Sequence, residues 1–449
     1  MDRLAHGAPG ATPPRRMSIL IIGGGWAGLA AAVRLAQAGQ RVTLLESAPH
    51  LGGRARTVER HGLALDNGQH LAIGAYRETL ALLNGIGVAE DRAFLRLPLC
   101  LEQYHPDGRF LLAPPPLPAP LHLGMGLLTA RGLPLKERLS ALRLSLGWAR
   151  QRFRLSPDRP LGPWLRQQGQ SAASVERLWE PLCLATLNTP LEQASSAVFL
   201  RVLQDSFAHR RHDCDLLIPR RPLGEILPQP AQRFLEDHGA RVHTRHRVTA
   251  VESEDGRVRG VRLDDGRRMA AEGVILALPP HATARLLAPH PPLTPLVSRL
   301  QAFHYQPITT VYLGYPRETR APRLMLGLGG GLGQWLFDRR ACGQPGVMAV
   351  VISAEGPHRR LSRQALGQRI AEELAAHFPH WPAPLWCDSL TEKRATFACT
   401  VAGAQDRPGN STALTGLWLA GDYTDTGYPA TLEGAVRSGT AAAEALLSA

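Results

Sequence analysis

The sequence predicts an α/β protein that opens with a parallel strand–helix–strand unit, and three observations within its first fifty residues predict it. Ile19 to Ile22 form a short apolar run of the kind a strand buried on both faces needs. Gly23, Gly25 and Gly28 then follow in the spacing G-x-G-x-x-G, leading into an alanine-rich helix that runs to about Ala38 and is ended by Gly39. Arg41 to Leu45 make a second apolar strand closing on an acid, Glu46. Each glycine answers a steric demand: a tight turn at Gly23, close approach of a pyrophosphate to the backbone at Gly25, and close helix–strand packing at Gly28. The helix start aims free N–H groups and partial positive charge at the same point. Glu46 stands where a carboxylate accepts the hydroxyl hydrogens of an adenosine ribose, and its charge disfavours a 2′-phosphate, which selects FAD or NAD over NADP.

A second glycine motif separates those two. Leu51-Gly52-Gly53-Arg54-Ala55-Arg56 comes directly after the second strand. Gly53 offers backbone N–H and Arg54 a guanidinium to the same pyrophosphate, which suits a longer, more enclosed cofactor and favours FAD. Taken alone, the segment also reads as an ordinary Gly-Gly loop with solvated arginines. Near residue 420 the pattern returns: Leu417 to Ala420 read as a strand, Gly421-Asp422 open a loop to Pro429, and a helix begins at about Leu432.

Composition sets the frame around these motifs. A chain of 449 residues that is 44% hydrophobic exceeds the usual single-core limit and can fill two cores. No apolar run reaches the roughly 18 residues of a membrane span. Residues 1–16 lack the apolar stretch of a secretory signal and are expected to form a disordered arm, with Met17 as the functional start. Cys100, Cys183, Cys214, Cys342, Cys387 and Cys399 include no C-x-x-C pair, which argues against a metal site and for a reducing, cytoplasmic compartment. The formal charge of +13 is nearly all arginine, Lys136 and Lys393 being the lysines. No nucleic-acid module accompanies it, so no nucleic-acid partner is expected, while contact with anionic membrane lipid stays open.

The middle of the chain is coarser. A short helix is expected from Arg77 to about Leu83, and a hairpin over 100–112 turning at Pro106-Asp107-Gly108. Residues 113–134 are proline-rich and apolar. A helix follows with Leu135, Leu139, Leu142 and Leu146 on one face, either packed on a core or laid on a membrane surface. Helix is expected from Pro160 to Gln204, a three-strand stretch from Arg241 to Pro280, and strands over 300–355. The glycine-rich segment from Leu326 lacks the G-x-G-x-x-G spacing and reads as a hairpin turn before a Gln334–Asp338 strand, so no second nicotinamide site is visible.

The paired glycine motifs resemble the flavin amine oxidase and phytoene desaturase superfamily. Within it, Asp66-Asn67-Gly68-Gln69-His70 with Leu71 to Tyr76, the segment QWLFDR from Gln334, and LAGDYTDTGYPATLEGAVRSG from Leu419 look like hydroxysqualene dehydroxylases. The resemblance runs from Met17 onward. It implies a Rossmann-type FAD-binding domain made of 17–83, 224–290 and 405–449, and a discontinuous α+β substrate domain made of 84–223 and 291–404. It implies non-covalent FAD, with Gly421 and Asp422 on the ribitol and phosphate side, the helix start at Leu432 aimed at the flavin pyrimidine, and the Val248 backbone against adenine. It implies removal of the hydroxyl of hydroxysqualene to give squalene, for hopanoid or related triterpene synthesis.

Replacing an allylic C–OH by C–H requires a hydride and an acid for the departing hydroxyl. His70 is the proton-donor candidate, with Tyr428 and Tyr423 near the other flavin face; Asp66 reads as a loop-fixing acceptor ahead of an acid. The partners implied are a hydrophobic isoprenoid and an external reductase or reduced flavin. A carotenoid-type desaturase, an amine oxidase and a non-catalytic FAD-bound lipid-binding protein are the alternatives.

Overall fold

Ser18–Ile22 is the central strand of a five-stranded parallel sheet ordered Arg241–His243, Arg41–Leu45, Ser18–Ile22, Gly273–Leu276, Leu417–Leu419. The computed structural model describes residues 16–449, so the arm expected over 1–16 lies, but for Arg16, outside the described residues. Every pairing in this sheet is parallel, with Ile19 opposite both Val42 and Gly273. Parallel strands must be covered on both faces, and Ile19 to Ile22 are accordingly buried throughout. The helix Trp26–Gln37 and the last helix, Leu432–Leu447, pack on one another beside the sheet. A Cβ at Gly439 would lie 2.1 Å from the Ala27 carbonyl oxygen, so the two helices meet backbone to backbone only because that position is glycine.

Two expectations over the middle change. The stretch from Arg241 to Pro280 holds five strands rather than three, and they divide between two sheets. Arg241–His243 and Gly273–Leu276 enter the parallel sheet, while Val248–Glu254, Arg257–Leu263 and Arg268–Ala270 form an antiparallel sheet of their own. Burial explains the division: Gly273–Leu276 is buried at every residue, whereas Arg257–Leu263 mostly alternates between buried and exposed. The helical block expected from Pro160 to Gln204 is broken into Leu161–Gln167, Ala172–Ser174, a π turn over Val175–Trp179, Glu180–Leu187 and Ser196–Phe207. Gly169 and Asn188, both with positive φ, stop the first and fourth pieces.

A second body is built on a seven-stranded mixed sheet ordered Trp386–Phe397, Tyr305–Gly314, Val347–Ser353, Trp335–Asp338, Met325–Leu328, Leu101–His105, Gly108–Leu112. Met325–Leu328 and Trp335–Asp338 pair antiparallel, which makes the glycine-rich segment between them a hairpin connection. Leu101–His105 and Gly108–Leu112 pair around the turn expected there. Phe94 and Leu217, which fall outside the boundaries drawn at 83 and 224, pack in the core of the parallel sheet. Among the described residues no helix is long and apolar enough to cross a membrane, and no cluster of His, Cys, Asp and Glu is arranged to hold a metal.

Candidate functional site

The first two strands end where the two glycine motifs meet. The Gly52 N–H donates to the Gly24 carbonyl oxygen at 2.8 Å, and Gly25 pairs with Gly52 in a parallel bridge. Gly23 has a φ of +109°, and a Cβ there would lie 2.4 Å from the Ala277 oxygen; a Cβ at Gly28 would lie 1.9 Å from the Gly23 oxygen. At Gly25 the situation reverses: a Cβ would meet only Gly53 Cα, at 3.9 Å. Gly25 therefore borders open space, and the helix that starts after it has neither a side-chain cap nor an acid in its first turn. The floor of this cradle is backbone, its walls are Gly25 and Gly53, and its field is positive, which fits a pyrophosphate.

Glu46 is held at the edge of the cradle. Its Oε2 accepts the Gly24 N–H at 2.7 Å, and its Oε1 accepts the Ala48 N–H at 2.7 Å. The neighbouring chain hangs on the Glu46 backbone: Glu46 N–H donates to the His243 oxygen and His246 N–H to the Glu46 oxygen. Val248 begins its strand two residues later. Arg54 is placed differently from the expectation of a guanidinium reaching for pyrophosphate. Its Nη2 donates to Asp422 Oδ1 at 2.7 Å and its Nη1 to the Ala395 carbonyl at 2.7 Å. A buried carboxylate is costly without a partner, so Asp422 attracts the nearest cation. The pair ties residues 54 and 422 across the cradle.

The Asp66–His70 loop is pinned by the seven-stranded sheet. Asp66 is buried; its Oδ1 accepts the Leu223 N–H at 2.7 Å, its Oδ2 lies 3.3 Å from Arg339 Nη1, and its carbonyl accepts the Tyr312 hydroxyl at 2.9 Å. Burial pushes its carboxyl above the ordinary range, against the pull of Arg339. Asp66 is thus fully engaged as an acceptor that fixes the loop, and its place among catalytic acids is corrected. Asn67 donates to the Arg54 carbonyl, joining this loop to the second glycine motif. The Gln69 side-chain oxygen accepts from Arg339 at 2.6 Å, and the Gln69 backbone N–H donates to the Thr310 hydroxyl oxygen at 3.2 Å.

His70 needs a second correction. Its Nδ1 lies 2.7 Å from the Gly68 carbonyl oxygen, which can only accept, so Nδ1 carries the proton. Burial lowers the ring's pKa and Arg54 adds to the effect, outweighing Gly68 and Asp66. The neutral ring consequently presents a bare Nε2, an acceptor where the sequence suggested a donor.

Beyond the loop lies an apolar cavity of about 970 Å³ counting its open mouth, walled among others by Leu71, Leu99, Leu203, Leu216 and Trp335. Asp205 is the one carboxylate lining it among the described residues, and the Tyr428 hydroxyl donates to Asp205 Oδ2. Arg201 donates to the same oxygen at 3.1 Å, and the Arg437 guanidinium sits 4.2 Å over the Tyr428 ring. Burial and Asp205 both push the Tyr428 phenol up, keeping it protonated. Thr431, also in the wall, caps the last helix by accepting the Gly434 N–H at 3.0 Å. The N-terminus of that helix, at Leu432, therefore opens beside the cavity. Tyr423 does not reach it: the side chain is in the core against Phe303, its hydroxyl 3.5 Å from Thr283.

The model of the flavin containing amine oxidoreductase family matches residues 26–447. The chain belongs to this family. As a flavin-containing oxidoreductase it carries a flavin, which the pyrophosphate cradle and the open helix start are shaped to hold. Its curated relatives include a hydroxysqualene dehydroxylase of Rhodopseudomonas palustris, 31% identical and covering 96% of this chain and 99% of the relative. A zeta-carotene desaturase of Synechocystis is 25% identical over 96% of this chain and 97% of its own length. Among solved structures, an oxidoreductase from Methanosarcina mazei has the same fold, with a TM-score of 0.75 at 18% identity over 95% of this chain and 100% of its own.

Several residues that build the site escaped the sequence reading. Arg407 is buried and donates to the carbonyls of Asp422, Tyr423, Thr424 and Tyr428, so one side chain folds the whole 422–428 loop. Glu433 is buried and accepts the Glu78 and Thr79 N–H groups, capping the helix at Arg77. Asp205 lies in a helix where nothing in the local pattern marks it. Arg339 was the readable one: it closes the QWLFDR segment directly after the strand Trp335–Asp338, and a buried arginine needs an anion.

Proposed function

We propose that this protein is an FAD-dependent reductase that removes the hydroxyl of hydroxysqualene to give squalene, in the route to hopanoids or related triterpenes, with FAD held non-covalently. The observation that carries the reading is an apolar cavity with a single carboxylate–phenol pair in its wall, beside the start of the last helix; the dehydroxylase relatives support it. Gly25, Gly53 and the helix start at Trp26 would hold the pyrophosphate, Glu46 the ribose, Val248 the adenine, and Leu432 the pyrimidine edge of the ring. Reduced FAD supplies a hydride. The balance is R–OH plus hydride plus proton, giving R–H and water.

The chain's own residues handle the oxygen. A thirty-carbon alcohol fills the apolar cavity with its hydrocarbon, and its hydroxyl would cost about 1–3 kcal/mol if buried without a partner. Asp205 and Tyr428 are the partners we assign. Hydroxide leaves poorly, so a proton donor is needed, and the Tyr428 phenol is a protonated group in the cavity wall. Tyr428 is therefore the proton source we assign in place of His70. Arg201 and Arg437 flank the ring and offset the charge left on its oxygen. The Trp335 face and the Asp205 carboxylate favour positive charge at the allylic carbon. Electrons come from a separate reductase or free reduced flavin, and the unpaired cysteines suit the cytoplasm.

The test is anaerobic incubation of photoreduced protein with hydroxysqualene. Squalene should form in proportion to the flavin reoxidised. Tyr428→Phe should keep its flavin and lose roughly 100-fold or more in single-turnover rate. Reduction of the oxidised protein by a polyene, with no squalene made, would instead place it with the desaturases.

A further inference from the structure

We propose that the helical hairpin of residues 121–150 is a docking surface for an anionic lipid bilayer, and that its first helix separates that bilayer from the cavity. Six of the eight large hydrophobic side chains exposed among the described residues lie within 117–146: Leu117, Leu121, Met125, Leu135, Leu139 and Leu146. Five of them lie on the two helices of the hairpin. Leu121 and Met125 are one turn apart on the helix Leu121–Thr129, and Leu135, Leu139 and Leu146 follow helical spacing on Leu135–Arg150. Leu121 is 65% exposed and Leu135 56%, values that scattered surface leucines do not combine in one patch. The helix Leu135–Arg150 is held to the body by other residues, Ala141, Leu144 and Trp148, and Leu142 meets the first helix at Gly124. Of the four periodic leucines Leu142 packs inward, while Leu135, Leu139 and Leu146 stay exposed.

Charge identifies the occupant. Between residues 113 and 157 the only acid is Glu137, against seven arginines and lysines. Glu137 is turned inward, accepting the Ser171 and Ser174 hydroxyls at 2.6 and 2.9 Å. Arg138 is spent on the Leu128 carbonyl at 2.7 Å, but Lys136, Arg143 and Arg150 are exposed beside the leucines. Apolar side chains flanked by cations, on a segment whose one acid is turned inward, match the boundary of anionic headgroups and acyl chains. A second copy would set these cations against themselves.

Continuity with the cavity gives the surface its use, and this part rests on the isoprenoid reading above. On the first helix Leu121 points out while the next residue, His122, is buried with Nε2 3.5 Å from Cys214 Sγ. Cys214 lines the cavity. One short helix thus has solvent-facing leucine on one side and the cavity wall on the other, and an insoluble substrate would have to pass only that layer.

Flotation of the full-length, flavin-loaded protein tests it. Binding is expected to phosphatidylcholine vesicles containing anionic phosphatidylglycerol, little to phosphatidylcholine alone, and weakening with salt. Lys136→Glu/Arg143→Glu/Arg150→Glu should bind roughly 100-fold more weakly, and Leu121→Ser/Leu139→Ser/Leu146→Ser should not float, both with wild-type flavin content. With hydroxysqualene in vesicles these variants should lose turnover that detergent-dispersed substrate restores. Equal flotation of wild type and variants, or a dimer that the leucine variant dissociates with no vesicle binding, overturns the proposal. Vesicle binding without dehydroxylation would overturn the substrate reading and leave the surface standing.

Discussion

One added methyl group, placed at either of two glycines three residues apart, should break the protein in two different ways. At Gly28 the new Cβ would lie 1.9 Å from the Gly23 oxygen and 3.1 Å from Ala277 Cβ. Both neighbours belong to the turn and the central sheet, so relief requires the helix to lift off the strand. Overpacking of this kind costs about 3 kcal/mol or more, a large part of a stability of about 5–15 kcal/mol. At Gly25 the backbone has a φ of −75°, and the new Cβ would touch nothing closer than Gly53 Cα at 3.9 Å. The fold should then lose less than about 1 kcal/mol, the cost of a poorer helix cap. Flavin affinity should fall by about 2–3 kcal/mol, or roughly 30- to 150-fold, because the methyl occupies the space of closest pyrophosphate approach. Urea unfolding of the apoprotein reads the first effect and quenching of FAD fluorescence the second. Gly25→Ala that unfolds like Gly28→Ala, or that binds FAD as wild type does, would refute the assignment of roles.

Arg339→Met should destabilise by about 3–5 kcal/mol, since it leaves the buried Asp66 carboxylate without its cation; adding Asp66→Asn should recover part of the loss in denaturant melts, and no recovery would show that the pair is not the cause. ¹⁵N-histidine NMR should find His70 neutral at pH 7 with the proton on Nδ1. Because its pKa is depressed in the folded state, its contribution to stability is present above the ordinary histidine range and lost as pH falls below it, so His70→Gln should flatten the acid limb of the stability curve. Stopped-flow absorbance should show slow FAD reduction by NADPH alone and faster reduction with a separate reductase; rapid, saturable reduction by NADPH would refute the external donor.

The cradle was legible because its requirements are local. Gly23, Gly25, Gly28 and Glu46 lie within one strand–helix–strand unit, and their spacing alone encodes the turn, the gap and the packing. The Gly52–Gly53 turn was legible for the same reason. His70 was misassigned because the direction of a histidine's proton depends on what its other nitrogen meets, and that partner, the Gly68 carbonyl, is backbone. Asp205 was invisible because its importance comes from Tyr428, 223 residues away, in an apolar wall drawn from many elements. The leucine periodicity of 135–146 was visible, but periodicity names a face without saying what covers it. The misread 241–280 stretch failed at its shortest strands: Arg241–His243 and Arg268–Ala270 are three residues each, too short to show a period.

The contact of Gly439 with Ala27 sets a time order on biogenesis. The helix carrying Gly25 and Gly28 emerges early in synthesis, but its partner helix and the Asp422 that grips Arg54 emerge some four hundred residues later. At about 5–20 residues per second a ribosome spends roughly twenty seconds or more between the two. During that interval the nascent glycine motif has the Gly52–Gly53 turn beside it but lacks Asp422 and the last helix, so the flavin site is incomplete. Flavin uptake therefore reports that residues 421–447 have left the exit tunnel and docked. Nascent chains stalled before that point should stay colourless however long they wait, and translation arrest, not cofactor supply, would set the pace at which yellow protein accumulates.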